Sequence, residues 1–167
     1  MARQAGFTLI ELITVLVLIG ILAVVALPNL LDKSLDERGF RDAAKAALQH
    51  ARRVAVAQRR FVCATVTAGS GSAGAMALTL DPVVRDQAIG PVSCTVALDL
   101  PAPGRGCAAS NEVCAPSGVS LGGGGTLIFD PLGRLVTAPG AVAGSPATLT
   151  VSNQPDITVE PETGYLR

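Results

Sequence analysis

The chain has 167 residues, which leaves room for one small domain once an N-terminal apolar segment is set aside. Its 13 Lys and Arg residues balance its 13 Asp and Glu residues, and the formal net charge of +0 excludes a strong overall attraction to a polyanion. Clustered charge lies mainly in the helix-rich N-terminal part, whereas the rest is rich in Gly, Pro, Val, Thr and Ala. This shift predicts a change from helix to sheet near Arg60, and so an α+β fold.

The N-terminal apolar segment, residues 7–31, contains one ionisable side chain, that of Glu11. Arg3 precedes the segment and charged residues follow it from Asp32 onward, which is typical of a single membrane span of about 20 residues with a cytoplasmic leader. A carboxylate inside a membrane costs roughly 2.5 to 3.5 kcal/mol on insertion scales. We therefore expect Glu11 to have a partner.

Gly6 distinguishes this segment from an ordinary secretory signal. In such a signal the small-residue cleavage site follows the apolar region, whereas Gly6 precedes it. A cut after Gly6 would remove only the basic leader and make Phe7 the first residue of a mature chain that keeps its apolar segment.

Residues 6–11, with the apolar run that continues to residue 23, resemble the class III signal of type IV pilins and type II secretion pseudopilins. The resemblance implies a prepilin peptidase that cleaves after Gly6 and methylates the new amino group of Phe7. It also implies that the Glu11 carboxylate pairs with the Phe7 ammonium, on its own or a neighbouring subunit, since either charge buried alone is penalised. The alternative is a plain signal anchor with an incidental glutamate.

Helical periodicity continues beyond the apolar segment. Between Phe40 and Ala55 apolar residues recur at spacings of three, four and seven, which predicts an amphipathic helix with one stripe against a sheet. Pro28 removes a backbone donor within the apolar segment and predicts a kink or local opening. The resemblance implies a type IV pilin-like fold, in which a long bent N-terminal helix packs on a small antiparallel sheet domain.

Short β-prone runs bounded by turn residues follow Arg60. We predict an antiparallel meander and further strands, in one twisted sheet or two small ones, at residues 61–67, 75–80, 92–98, 126–129, 147–151 and 156–160. The chain then divides into a leader (1–6), a transmembrane and filament-core half of the helix (7–31), an amphipathic half (32–60) and a β-rich periplasmic domain (61–167).

Two C-terminal segments, residues 129–134 and 157–167, resemble the signature of the GspH/FimT group of minor pseudopilins. Residues 36–40 and 55–60 are further similar to minor pilins of the mannose-sensitive haemagglutinin (MSHA) pilus, the MshC type. The region between residues 81 and 125 matches no family pattern.

Four cysteines lie in the predicted exported part, and an even number in an oxidising compartment indicates two disulfides. Of three connectivities, local closure favours Cys63 with Cys94 and Cys107 with Cys114. A zinc site is the competing interpretation, but there is no C-x-x-C pair and the single histidine, His50, is distant in sequence. We predict no metal and no other cofactor.

The sequence contains no catalytic constellation, so we do not expect an enzyme. It lacks a G-x-S-x-G elbow, and the glycines at 122–125 lack the residues of a phosphate-binding loop and indicate a flexible connection. Arginines at the end of the predicted helix form a basic region that would attract phosphate: Arg52, Arg53, Arg59 and Arg60. Such arginines are more often a solvated helix face, and aromatic residues for base stacking are scarce.

Three hypotheses follow. The first is a minor, structural subunit at or near the tip of a type IV pilus or type II secretion pseudopilus. Its partners would be other pilin-type subunits, the prepilin peptidase, an inner-membrane assembly platform with its ATPase, and lipid before assembly. It would cross the inner membrane once, with its C-terminal domain in the periplasm, before it enters the filament. The second is a DNA-binding minor pilin for DNA uptake, which requires salt-dependent affinity that falls on replacing Arg59 and Arg60. The third is a periplasmic protein with a membrane anchor and no filament.

Overall fold

The computed structural model describes residues 8–30, 33–84, 90–102, 104 and 106–167, with backbone alone at 23–30 and 72. The chain forms two compact units, Met1–Leu35 and Asp36–Arg167. Helix α1, Leu9–Leu30, belongs to the first unit, and helix α2, Lys33–Gln58, lies mostly in the second.

Helix α2 buries one stripe of mostly small side chains. The stripe recurs at helical spacing and is almost inaccessible to solvent; it consists of Phe40, Ala44, Ala47, Leu48, Ala51 and Ala55. The helix ends in a Schellman motif, in which the Arg60 N–H donates to the Ala55 carbonyl at 3.2 Å while Arg59 adopts a φ of 52°. The change from helix to strand therefore takes place within residues 59–61.

The remainder consists of short strands and one 3-10 helix, Gly71–Ala73. In chain order the strands are β1 (Val62–Thr67), β2 (Gly69–Ser70), β3 (Ala75–Leu80), β4 (Val96–Ala97), β5 (Glu112–Cys114), β6 (Ser120–Gly122), β7 (Gly125–Phe129), β8 (Leu135–Ala138), β9 (Ala141–Val142), β10 (Ala147–Val151) and β11 (Ile157–Val159).

Within the described ranges the strands form two antiparallel sheets. The larger has the order β4-β3-β1-β7-β8-β9, and β5 also pairs with β3. The smaller has the order β11-β10-β6-β2. In the larger sheet β1 is central, since it pairs with β3 along its whole length and with β7 on its other side.

The core forms where the α2 stripe meets alternate residues of both sheets. In β3 the side chains of Met76, Leu78 and Leu80 point inward, and in β10 those of Leu149 and Val151 do so. These residues and the α2 stripe belong to one hydrophobic cluster. The predicted α+β class with antiparallel sheets is confirmed.

One predicted strand is mostly wrong. Residues 92–98 are β-prone, but only Val96–Ala97 pair in a sheet. The N–H of Ser93 donates instead to Oδ2 of the buried Asp81 at 3.2 Å, and Cys94 is bonded to Cys63. The Asp81 carboxylate thus accepts a hydrogen bond from a backbone N–H that could otherwise have paired with a neighbouring strand.

The glycines between β6 and β7 have a steric role that the prediction of a flexible connection missed. Gly123 has a φ of 84°, and a Cβ atom there would overlap the carbonyl oxygen of Thr148 in β10. Only glycine combines this left-handed conformation with so close a backbone contact. Gly123 therefore lets the chain pass from one sheet to the other.

This close approach predicts that Gly123→Ala lowers the free energy of unfolding by about 2 kcal/mol or more, because strain adds to the overlap. Gly144→Ala is the matched control, since a Cβ at Gly144 meets no atom within 4 Å, and its effect should stay within about 0.5 kcal/mol. Urea unfolding of the full chain in detergent, followed by circular dichroism, measures both. Equal stability of the two variants would contradict the steric role.

Candidate functional site

Helix α1 begins with a threonine cap next to Glu11. The Glu11 N–H donates to the Thr8 side-chain oxygen at 3.3 Å and lies 3.1 Å from the Thr8 carbonyl oxygen. Thr8 thereby satisfies a donor that the first turn of a helix leaves free. This cap is not among the sequence predictions, although threonine three residues before glutamate is a typical helix start.

The Glu11 side chain is exposed, and within residues 8–30 and the other described ranges its carboxylate makes no hydrogen bond or ion pair. A negative charge in the first turn of a helix is favoured by the helix dipole. Gly6 and Phe7 lie outside the described residues. The predicted cleavage, methylation and pairing of Glu11 with the Phe7 ammonium therefore stay predictions.

The described side chains of α1 form an apolar surface. Every residue from Thr8 to Leu22 is exposed, including Leu9 at 76% and Leu22 at 66%. An apolar surface of this extent marks an interaction with lipid or with other protein. Pro28 lies within α1, and the kink that it predicts stays a prediction.

In the part of the chain that the structure describes, no helix combines the length and the apolar character needed to cross a membrane.

The cysteines form the two disulfides that local closure favours. Cys63 in β1 is bonded to Cys94, with Cα atoms 6.1 Å apart, and Cys107 to Cys114, with Cα atoms 5.5 Å apart. The first ties the loop before β4 to the central strand. Glu112 lies close to the second, but disulfide sulfurs are not thiolate ligands, so this cluster retains a single carboxylate for any metal.

The four arginines of the predicted basic region differ in their surroundings. Arg53 and Arg59 are exposed, whereas Arg52 and Arg60 are half-buried. Arg52 does not point freely into solvent, because its Nε donates to the Gly133 carbonyl at 3.3 Å. Its guanidinium thus takes part in the packing of the domain.

Arg52 lies where the two C-terminal segments meet. Gly133 and Gly164, one from each segment, are in backbone contact, so a Cβ at Gly164 would overlap the Gly133 carbonyl oxygen and approach Cδ of Arg52 to 3.0 Å. Both glycines have a positive φ, of 79° and 58°. The segments at 129–134 and 157–167, far apart in sequence, thus form one structural unit against α2.

A buried carboxylate holds the first of these segments. Asp130 accepts hydrogen bonds from the N–H groups of Leu132 (3.0 Å) and Arg134 (2.8 Å), and its other oxygen pairs with the Arg134 guanidinium at 2.7 Å. Asp130 is 3% exposed, and these partners replace the lost hydration of its carboxylate. The turn is therefore rigid.

The second segment folds back along β11. The backbones of Thr158 and Arg167 exchange two hydrogen bonds, at 3.1 and 3.0 Å, and the Glu160 N–H donates to the Tyr165 carbonyl at 2.9 Å. The Arg167 guanidinium pairs with Glu160, and the hydrogen bond to that carboxylate raises the pKa of Arg167 above its ordinary value. These hydrogen bonds and this ion pair hold the two arms of the hairpin together.

Residues 1–27 match the family model described as the prokaryotic N-terminal methylation motif. No curated protein and no solved structure matches the chain. The motif supports a type IV pilin or pseudopilin, a structural subunit and not an enzyme, and the helix-plus-sheet architecture is consistent with a type IV pilin-like fold. It implies processing by a prepilin peptidase and assembly with other pilins.

The contact of Arg52 with Gly133 predicts that Arg52→Met destabilises the protein by about 1 kcal/mol, because the Gly133 carbonyl loses a charged donor while the aliphatic stem remains. Arg53→Met removes the same charge from the exposed neighbour and should change the free energy of unfolding by less than about 0.5 kcal/mol. Urea unfolding of both full-length variants tests the difference. If the two variants were equally stable, Arg52 would have only a surface role.

Proposed function

We propose that the protein is a minor pilin or pseudopilin, incorporated at or near the tip of a type IV pilus or type II secretion pseudopilus to promote assembly. The observation that carries the proposal is the match of residues 1–27 to the methylation motif. This segment includes most of α1, whose described side chains form an exposed apolar surface. Such a surface requires a second apolar environment, which lipid supplies first and other helices supply later.

Processing creates the charge that Glu11 needs. Cleavage after Gly6 gives Phe7 a new ammonium group, which the peptidase then methylates. Glu11 lies four residues after this new terminus in sequence, and its carboxylate makes no hydrogen bond or ion pair within the described residues. In a filament core the two charges neutralise each other, since leaving either one buried and unpaired is strongly unfavourable.

The apolar helix passes from lipid to protein without a large hydrophobic gain. Burial from water is worth roughly 25 cal/mol per Å², but lipid is already apolar, so packing and charge pairing decide whether the subunit enters a filament. Before assembly, residues 7–31 anchor the chain in the inner membrane, and the β-rich unit lies in the periplasm. Two disulfides fit that oxidising compartment. An external ATPase supplies the energy of extraction.

Within this class we propose the GspH/FimT type, and within it the MshC type of the MSHA pilus. The support is the resemblance of residues 129–134 and 157–167, together with the contact between Gly133 and Gly164 that unites these two segments. Because the two segments of this signature contact each other in the fold, they have a physical reason to occur together in one sequence.

DNA binding is the alternative function. It is favoured by one feature, the absence of any Asp or Glu from residue 43 to residue 80, a stretch that holds all four candidate arginines. Against it, Arg52 is engaged by Gly133, and only Tyr165 among the described aromatic residues is exposed for stacking on a base.

The proposed processing predicts that the mature chain begins at N-methylated Phe7. Mass spectrometry of the N-terminal peptide, from cells with active prepilin peptidase, should show this terminus and no peptide from residues 1–6. The same strain without the peptidase is the control and should retain the leader. An unprocessed Met1 or Ala2 terminus with active peptidase would overturn the proposal.

The proposed pairing predicts that Glu11→Ala lowers incorporation into sheared filaments by about tenfold or more, because removing one partner of a buried ion pair costs about 3 to 5 kcal/mol. The level of the variant in the membrane should not change. Thr14→Val is the matched control, an exposed polar position of α1 that leaves the carboxylate in place. Wild-type incorporation of the Glu11 variant would contradict the proposed pairing, whereas absence of the wild-type protein from filaments would favour an anchored protein without a filament.

A further inference from the structure

Three exposed apolar side chains gather where the two C-terminal segments meet α2. Leu132 is 70% exposed, Tyr165 is 60% exposed and Val56 is 47% exposed. Leu132 and Tyr165 directly neighbour the touching glycines, and a Cβ at Gly133 would lie 3.0 Å from Cγ2 of Val56. We call these three residues the Leu132–Tyr165 patch.

The patch is held rigidly. Asp130 fixes the turn that carries Leu132, the hairpin to β11 fixes Tyr165, and the Tyr165 N–H also donates to the Thr163 side chain at 3.2 Å. Contact between Gly133 and Gly164 joins the two supports. A partner that binds here does not have to order these loops, so little binding energy is lost to conformational entropy.

Tyr165 gives the patch a side chain that is typical of protein-binding surfaces. Phe40, Phe61 and Phe129 are all buried, with at most 4% exposure, which leaves Tyr165 as the exposed aromatic side chain among the described residues. Tyrosine and arginine dominate the energetic centres of protein interfaces, and Arg52 lies beneath the patch. Aliphatic side chains such as Leu132 and Val56 offer nothing to a phosphate backbone, and so favour protein over DNA.

The charge around the patch is positive. Its α2 side carries Arg52 and Arg53 and no carboxylate. On the loop side, Asp130 and Glu160 are paired with Arg134 and Arg167. Glu162 is the exposed carboxylate in this neighbourhood. A complementary partner surface is therefore apolar at its centre and acidic at its rim.

We propose that the Leu132–Tyr165 patch docks an acidic, apolar surface of a neighbouring pilin-type subunit. This inference rests on the proposed filament function and adds a contact made by the folded unit to the one made by α1. The exposed apolar surface of α1 packs against any apolar helix, whereas this patch selects its neighbour by shape and charge.

The test is incorporation of Leu132→Asp and Tyr165→Asp variants into sheared filaments. Each should fall by about 30-fold or more relative to wild type, the fold-change that corresponds to the loss of about 2 kcal/mol at an interface centre. Val96→Asp is the matched control, an exposed valine in the edge strand β4, which β3 and β1 separate from β7, and should behave as wild type. Normal incorporation of both patch variants would overturn the proposal.

Crosslinking tests the same contact without depending on the aspartate variants. The described cysteines are all in disulfides, so Leu132→Cys adds a thiol that a maleimide–benzophenone reagent can label in intact filaments. The expected product is an adduct to another subunit, at a site rich in Asp or Glu, with no such adduct from Val96→Cys. No adduct from Leu132→Cys, or an adduct at a basic site, would overturn the proposal.

Two further outcomes are separable. If the wild-type protein is absent from filaments, the proposed function itself fails, and the inference fails with it. The aspartate variants could instead assemble normally but, as full-length proteins in detergent, lose the salt-dependent binding to a DNA duplex that the wild type shows. In that case the patch belongs to the alternative function.

Discussion

Close packing of α2 on the sheets is the constraint on which the folded unit depends. Ala44, Ala47, Ala51 and Ala55 form most of the buried stripe and have at most 3% exposure. Small side chains let the helix axis approach the sheets, and larger residues such as Phe129 and Met76 fill the space from the other side. A larger side chain at one of these alanines would push the helix away from the sheets, and so disturb every contact along its length.

That close approach also brings polar side chains of α2 within reach of loops. Glu37, 5% exposed, accepts hydrogen bonds from Asn153 at 2.9 Å and Ser152 at 3.4 Å, and Arg41 donates to the Pro155 carbonyl at 2.7 Å. Arg52 does the same at the other end of the helix, with Gly133. The helix therefore organises the β10–β11 turn and the β7–β8 turn, and the surface that these turns expose follows from its position.

How much the sequence predicts depends on the range of the interaction. Periodicity and β-propensity are local, so they correctly indicate the α2 stripe and the strands at residues 75–80 and 147–151. Strands of two or three residues, such as β2 and β5, are too short to show a sequence period. They form because a longer strand supplies their hydrogen-bonding partners. The role of Arg52 could not be predicted for the same reason, since its acceptor lies 81 residues away. An isolated arginine on a helix is indistinguishable from a solvated one until the fold brings Gly133 to it.

In the proposed filament, the two units of the chain would have different roles. An exposed apolar helix such as α1 gains little energy on passing from lipid to other helices, and its repetitive Leu, Ile and Val surface distinguishes poorly between neighbours. In the proposed filament Glu11 would require a matching positive charge, but every subunit processed in the same way would supply that charge. In the proposed filament, discrimination between neighbours would therefore come from a surface with particular shape and charge, and the folded unit offers one in the rigid loops that α2 holds in place.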